Sequence, residues 1–221
     1  MTHIILINPN TSEATTAMMT DIAGKYLPKG VTLEGLTALK GVPMILDDEQ
    51  LGKSTDGVVE MGLSRAGKAD GIIISAFGDP GLERLREISD IPVVGICEAS
   101  MLEANLGGRR FGIATVTPHL VDNFAQKADV LGVSRYFTGT RLTIGDPFTL
   151  ASDPERLYAS LAIAVRECLE NDGAEAVIIG GGPLGQAAED LQNLFSAPII
   201  APIRSAVELL LSRLGGSYAK G

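Results

Sequence analysis

Four short segments carry side chains that could grip or transform a small molecule. Ile7-Asn8-Pro9-Asn10-Thr11-Ser12 sets two amides and two hydroxyls around one proline. Such groups, beside the free N–H groups of a helix start, suit a carboxylate or an imide-like oxygen. The same residues also make an Asx-type turn with an N-cap, so Asn8, Asn10 and Thr11 are candidates on either reading. Thr115-Val116-Thr117-Pro118-His119 offers the hydroxyls of Thr115 and Thr117 as donors to a carboxylate. His119 serves equally as a ligand contact or as a first-turn helix residue. Ser75-Ala76-Phe77-Gly78-Asp79-Pro80-Gly81 has glycines for tight turning, and Asp79 is placed to cap the helix that follows.

The fourth segment, Gly180-Gly181-Gly182-Pro183-Leu184-Gly185, satisfies the pattern G-x-G-x-x-G between a strand and a helix. A dinucleotide is nevertheless not expected. The pattern falls in the last third of the chain, and the next strand ends in Pro202 and Arg204 without an acid for a ribose. A bare backbone at Gly181 and Gly182, closely approached by a small ligand, fits better, and no cofactor is called for. Cys97, Cys168, His3 and His119 share no metal-ligand spacing, so no metal is expected either.

The elements that must position these segments are legible in the apolar pattern. Strands are expected at Ile4–Asn8, Val31–Leu36, Gly71–Ser75, Pro92–Ile96, Phe111–Thr115, Arg141–Ile144, Ala176–Ile179 and Pro198–Ala201. Several are apolar at consecutive positions, as strands buried on both faces of a parallel sheet are. Helices are expected at Glu13–Lys25, Asp56–Ala69, Gly81–Ile88, Glu98–Leu106, Pro118–Leu131, Pro154–Asn171, Gln186–Leu194 and Arg204–Leu214. Asp153-Pro154-Glu155 is a strong start, with an N-cap oxygen, proline at N1 and early negative charge. This alternation indicates a parallel α/β fold.

The chain also repeats itself. Ala69–Ile74 resembles Ala174–Ile179 about 105 residues later, Ile91–Val94 resembles Ala197–Ile200, and Ile4–Asn10 aligns more weakly with Phe111–Thr117. Two pseudo-symmetric parallel-sheet halves follow, residues 1–108 and 109–221, with chain ends free to cross between them. Ligands in open α/β sheets sit beyond the carboxyl ends of strands. The cleft between the halves should therefore receive Asn8 with Thr115, Ser75-Ala76 with Gly180-Gly181, and Cys97-Glu98 with Ile203-Arg204.

A formal charge of −9 without a basic cluster offers no footprint for nucleic acid or an anionic membrane. No apolar stretch nears the ~20 residues of a spanning helix, and no signal peptide precedes Ile4–Ile7. Two cysteines without a framework suit a reduced, cytoplasmic setting. The expected partner is a small-molecule substrate.

Taken together, Ile7–Ser12, Phe77-Gly78-Asp79-Pro80-Gly81-Leu82, Pro92–Ala99 and Asp172–Glu175 resemble the aspartate/glutamate racemase superfamily, closest to its hydantoin/allantoin racemase branch. The resemblance spans nearly the whole chain. It implies the two-half α/β fold, independence of any cofactor, a homo-oligomer, and a cysteine on each side of the substrate's α-carbon. One thiolate removes the proton and the opposite thiol returns it. Here the sequence departs from the pattern, because the first cysteine position is Ala76 and the second is Gly181.

As implied by the resemblance, the remaining acid or base is Glu98, with Cys97 beside it as a displaced nucleophile or a small buried hydrophobe. Ser75 could replace a thiol only with a base next to it, and Cys168 reads as packing. Three readings stay open. The chain is a divergent enzyme on a small carboxylate or cyclic ureide, a racemase using displaced residues, or a binding protein that kept the pocket. Replacement of the cysteines by design is a further possibility. Ser75, Ala76, Phe77, Gly181 and Gly182 are expected around the substrate with Asn8, Asn10, Thr11, Thr115, Thr117 and His119.

Overall fold

The computed structural model describes residues 2–215. The first half runs β1 (Thr2–Asn8), α1 (Glu13–Gly24), β2 (Val31–Thr37), α2 (Asp48–Lys53), α3 (Thr55–Leu63), β3 (Gly71–Ile74), α4 (Leu82–Ile88), β4 (Val93–Gly95) and α5 (Ile96–Ala104). The second runs β5 (Phe111–Thr115), α6 (Val121–Val130), β6 (Phe137–Leu142), α7 (Pro147–Ala151), α8 (Pro154–Glu170), β7 (Ala176–Ile179), α9 (Gly185–Leu191), β8 (Ile199–Ile200) and α10 (Pro202–Arg213). Helix for helix and strand for strand, the two halves have the same order.

Each half builds a four-stranded parallel sheet, β2-β1-β3-β4 in one and β6-β5-β7-β8 in the other. The repeat seen in the sequence therefore pairs β3 with β7, β4 with β8 and β1 with β5, the strands that hold equivalent places in the two sheets. Consecutive apolar residues in the strands have the expected cause. Ile4, Leu6 and Ile73 turn to a core shared with Phe111, Ile113 and Ile178 of the other sheet. Ile5, Ile7, Ile72 and Ile74 pack beneath α3 and α4, and Ala114, Val177 and Ile179 beneath α8 and α9.

The last helix of each half lies between the sheets rather than on its own side. α10 packs on β3, β4 and α5, while α5 reaches β7 and β8. Gly71 permits this crossing, since a Cβ there would sit 2.9 Å from a Leu210 methyl of α10. Two ion pairs tie the crossed helices: Glu98 with Arg213, and Glu103 with Arg204.

Three expectations are corrected. The sixth strand is Phe137–Leu142 instead of Arg141–Ile144. It is an edge strand whose pairing slips at Phe111/Gly112 and crosses Gly139 at φ 118°, so no clean alternation marks it. Helix α3 stops at Leu63 rather than Ala69, in turns that end at Gly67 with φ 73°. Two short helices, α2 and α7, occupy segments read as connections. Each starts on an aspartate whose side chain accepts a backbone N–H, Asp47 from Gln50 and Asp146 from Thr149. Among the described residues no helix is long and apolar enough to cross a membrane.

Candidate functional site

The carboxyl ends of β1, β3, β5 and β7 open into one cavity of about 790 Å³ counting its mouth. Asn10, Thr15 and Met19 reach it from β1 and α1, and Ser75, Ala76 and Phe77 from the β3–α4 turn. Val116, Thr117 and Leu120 come from the β5–α6 turn, and Gly180 to Leu184 from the β7–α9 turn. A cover is added by Met44, Ile45 and Leu51 on one side and by Pro147, Ala151 and Leu157 on the other. Ala76 and Gly181, the positions paired by the repeat, line this same cavity. Among the described residues none of those lining the wall carries a titratable side chain.

The polar part of the wall is held in fixed hydrogen-bonding roles. Buried Asn8 is spent on structure: its Nδ2 shares its two protons among Asn10 Oδ1 at 2.9 Å, Thr16 Oγ1 at 2.9 Å and Ser12 O at 3.1 Å. Asn10 Oδ1 also accepts from Ser12 N at 2.9 Å, which fixes the amide and leaves Asn10 Nδ2 as a free donor. Thr115 donates its hydroxyl proton to Gly180 O at 2.7 Å. In its 3.0 Å contact with Thr117, Thr117 is then the donor, and Thr117 Oγ1 offers the cavity lone pairs only. Ser75 Oγ points its proton at Met19 Sδ, 2.9 Å away, a weak acceptor that a ligand can replace.

Glycine is required in the β7–α9 turn for close approach. A Cβ at Gly180 would meet Ile113 at 2.9 Å and Thr115 at 3.1 Å, and one at Gly182 would meet Met19 Sδ at 2.6 Å. Gly181 is extended, with φ 167°, so its backbone accepts any residue. The space beside it is taken by Leu184, whose Cδ1 lies 2.9 Å from where a Cβ would stand. Gly181 N is bonded to Ile179 O, so Gly182 rather than Gly181 has the N–H left for a ligand.

Several expected site residues do not reach the wall. Asn8 and Thr115 lie directly behind it and hold Asn10, Thr117 and Gly180 in place. Thr11 is fixed through its backbone to Val42 O. His119 is exposed, and its backbone bridges to Asp47 at the start of α2.

Cys97 and Glu98 are the larger corrections. The carboxyl ends of β4 and β8 do not join the other four, because α5 and α10 begin there and dive between the sheets. Glu98 is clamped by Arg86 at 2.8 Å and Arg213 at 2.9 Å. Burial would raise its carboxyl, but bonds from Arg213 and Arg86 hold it below the usual range. Cys97 is fully buried, and burial with Asp79 nearby pushes its thiol well above the ordinary value. Neither is disposed to exchange a proton with a ligand in the cavity.

Asp79 is corrected as well. It caps α5, not α4, accepting from Cys97 N at 2.9 Å and Glu98 N at 2.7 Å. Its left-handed backbone, φ 53°, turns the carboxylate inward. Gly95 clears the space, since a Cβ there would lie 2.1 Å from Asp79 Cγ. Lys127 of the other half stands 3.7 Å away. Complete burial pushes the Asp79 carboxyl up to about 6, against the opposing pull of Lys127 and the two N–H groups.

Sequence reasoning missed the apolar cover, because Met44, Ile45, Leu51, Pro147 and Ala151 sit in segments read as loops. One signal was available. Asp146-Pro147 repeats the N-cap and N1 pair of Asp153-Pro154.

Residues 4–210 match the Asp/Glu/Hydantoin racemase family. A hydantoin racemase from Rhizobium meliloti is 30% identical over 223 residues, covering 98% of this chain and 90% of its own. Another, from Paenarthrobacter aurescens, is 25% identical and covers 98% of this chain and 92% of its own. Among solved structures, allantoin racemase from Klebsiella pneumoniae superposes with a TM-score of 0.90 at 27% identity, over 96% of this chain and 87% of that one.

Proposed function

The chain belongs to the Asp/Glu/Hydantoin racemase family, and from that premise we propose that its cavity takes a small, neutral cyclic ureide bearing an apolar substituent. The observation that carries this reading is the wall: fixed donors, a fixed acceptor and no charge. Asn10 Nδ2 and the N–H groups of Phe77 and Gly182 suit carbonyl oxygens, while Thr117 Oγ1 suits a ring N–H. A carboxylate has no N–H to give and would find no cation among the lining residues, a costly burial. Met44, Ile45, Leu51, Pro147, Ala151 and Leu157 suit the substituent.

The chemistry at the ring carbon does not run between two thiols. Ala76 and Gly181 hold the two places from which the family resemblance would have a proton removed and returned, and neither can carry one. The wall can instead steady negative charge developing on the ring carbonyl through its N–H donors. Water is then the proton carrier, so exchange is one-sided and not coupled to inversion by the protein. The two buried, unpaired cysteines fit a reducing cytoplasm.

A second reading, retention of the ligand without turnover, is favoured by the same uncharged wall. Incubation of a single enantiomer of 5-isobutylhydantoin in D2O, followed by proton NMR and polarimetry, separates the two. Exchange above the buffer rate supports one-sided chemistry, and binding without exchange supports retention. Inversion at ordinary enzymatic rates sinks the assignment of positions 76 and 181.

A further inference from the structure

Leu51 is the buried side chain of α2, a surface helix of six residues. On one side it lines the apolar cavity with Phe77 and Leu120. On its other side lies an open groove of about 610 Å³, counting solvent, where Asp48, Thr55, Asn123 and Gln126 present polar groups. The partition is one side chain thick. Gly78 makes it possible, because a Cβ there would strike Leu51 Cδ2 at 2.7 Å and Asn123 Oδ1 at 3.0 Å.

The groove side holds an unmet acceptor. Asn123 Oδ1 is buried and has no hydrogen-bond partner among the described residues. Buried polar atoms are satisfied in the great majority of cases, so such an atom marks a place for a donor. Asp48, Thr55 and Gln126 add further acceptor oxygens. A chain leaving the cavity past position 51 would arrive with its end among these oxygens.

We propose that Leu51 is the specificity-determining wall of the site, separating the apolar cavity from a groove that accepts hydrogen-bond donors. It thereby restricts substrates to substituents that are apolar to their tips. The consequence for substrates rests on the ureide reading above, whereas the two-compartment arrangement does not. Shortening Leu51 joins the compartments and admits a substituent ending in an ammonium group, which Asn123 Oδ1 and Asp48 would receive.

The test uses two probes on the full chain, with folding checked by circular dichroism and Leu51→Val as a milder variant beside Leu51→Ala. Calorimetry compares 5-isobutylhydantoin with 5-(4-aminobutyl)hydantoin. The unaltered protein should prefer the isobutyl compound at least tenfold, and Leu51→Ala should reverse that order, with Leu51→Val between them. Hexylammonium, followed by NMR titration, needs no ring recognition. It should bind Leu51→Ala about tenfold more tightly than the unaltered protein, and adding Asn123→Leu should remove most of that gain. If neither hydantoin binds any variant while hexylammonium behaves as stated, the ureide reading falls and the partition stands. Equal hexylammonium affinity in all variants overturns the partition itself.

Discussion

The two turns that hold Ala76 and Gly181 occupy equivalent places in the repeat and are built by opposite means. The β3–α4 turn is anchored by charge: Asp79 binds the start of α5 and pairs with Lys127, which also reaches Glu83 at 3.2 Å. Among the described residues the β7–α9 turn has no charged anchor and depends on close packing, with Gly180 and Gly182 admitting Ile113, Thr115 and Met19 to contact distance and Leu184 filling the space beside Gly181. A duplicated scaffold thus keeps strand and helix positions while each turn finds its own anchor. Both sides of the cavity wall are anchored, yet only one is anchored by charge.

The largest expected effect comes from making the two turns chemically equivalent. Ala76→Cys with Gly181→Cys supplies a proton-transferring group on both sides, and Leu184→Ala gives the second thiol room. Inversion of a 5-substituted hydantoin should rise by ~10²-fold or more, the usual scale of positioned acid–base help. Polarimetry reads it. No gain in a folded triple variant would mean that the two positions do not flank the ring carbon.

Next in size, Asp79→Ala should destabilise the protein by ~3 kcal/mol, because it strands Lys127 and two buried N–H groups. Leu184→Ala, its packing counterpart, should cost less, ~2 kcal/mol, the low end for a buried leucine, since it strands no polar group. Urea denaturation of both variants compares them, and equal costs would erase the distinction between the turns.

The pH response sharpens the same contrast. The folded chain holds the Asp79 proton more tightly than the unfolded chain, its carboxyl being raised from 3.8 to about 6. The folded state therefore binds more protons inside that window. The Asp79 contribution to stability should be greatest below it, fall as pH rises through it by up to ~3 kcal/mol, and level off above it. Asp79→Asn should flatten this fall, as read from urea midpoints between pH 4 and 7. A slope unchanged by Asp79→Asn would place the titration elsewhere.

The smallest effect is expected at Glu98. Glu98→Gln should leave ligand binding and proton exchange unaltered within twofold, because Glu98 is a clamp for Arg86 and Arg213 and stands off the cavity wall. Its cost should appear in stability alone, ~1–2 kcal/mol after allowing for the half-exposed arginines. A large loss of exchange would return Glu98 to the chemistry.

Much of this was written locally in the chain. Ile4–Ile7, Ile72–Ile74 and Val177–Ile179 declare buried parallel strands, because a strand covered on both faces cannot alternate. The repeat of Ala69–Ile74 in Ala174–Ile179 declares two halves. Asp153-Pro154 and Ser12 declare helix starts through oxygens that reach only three residues ahead. Phe77, Ala76, Gly181 and Gly182 were placed at strand ends by the same short-range logic, and all four line the cavity.

What the chain did not declare depends on partners far away in sequence. Glu98 has the chemistry of an acid or base, but Arg213, 115 residues on, reaches it only because α10 crosses between the sheets. Asp79 has the look of a cap for its own helix. Which helix it caps was decided by a left-handed turn and by the absence of a side chain at Gly95. Thr115 has a hydroxyl to offer, and only the approach of Gly180 O decided that it was already given. Residue types set what each group is able to do; long-range packing decides which groups remain free to do it, since a polar group satisfied within the fold has nothing left for a ligand.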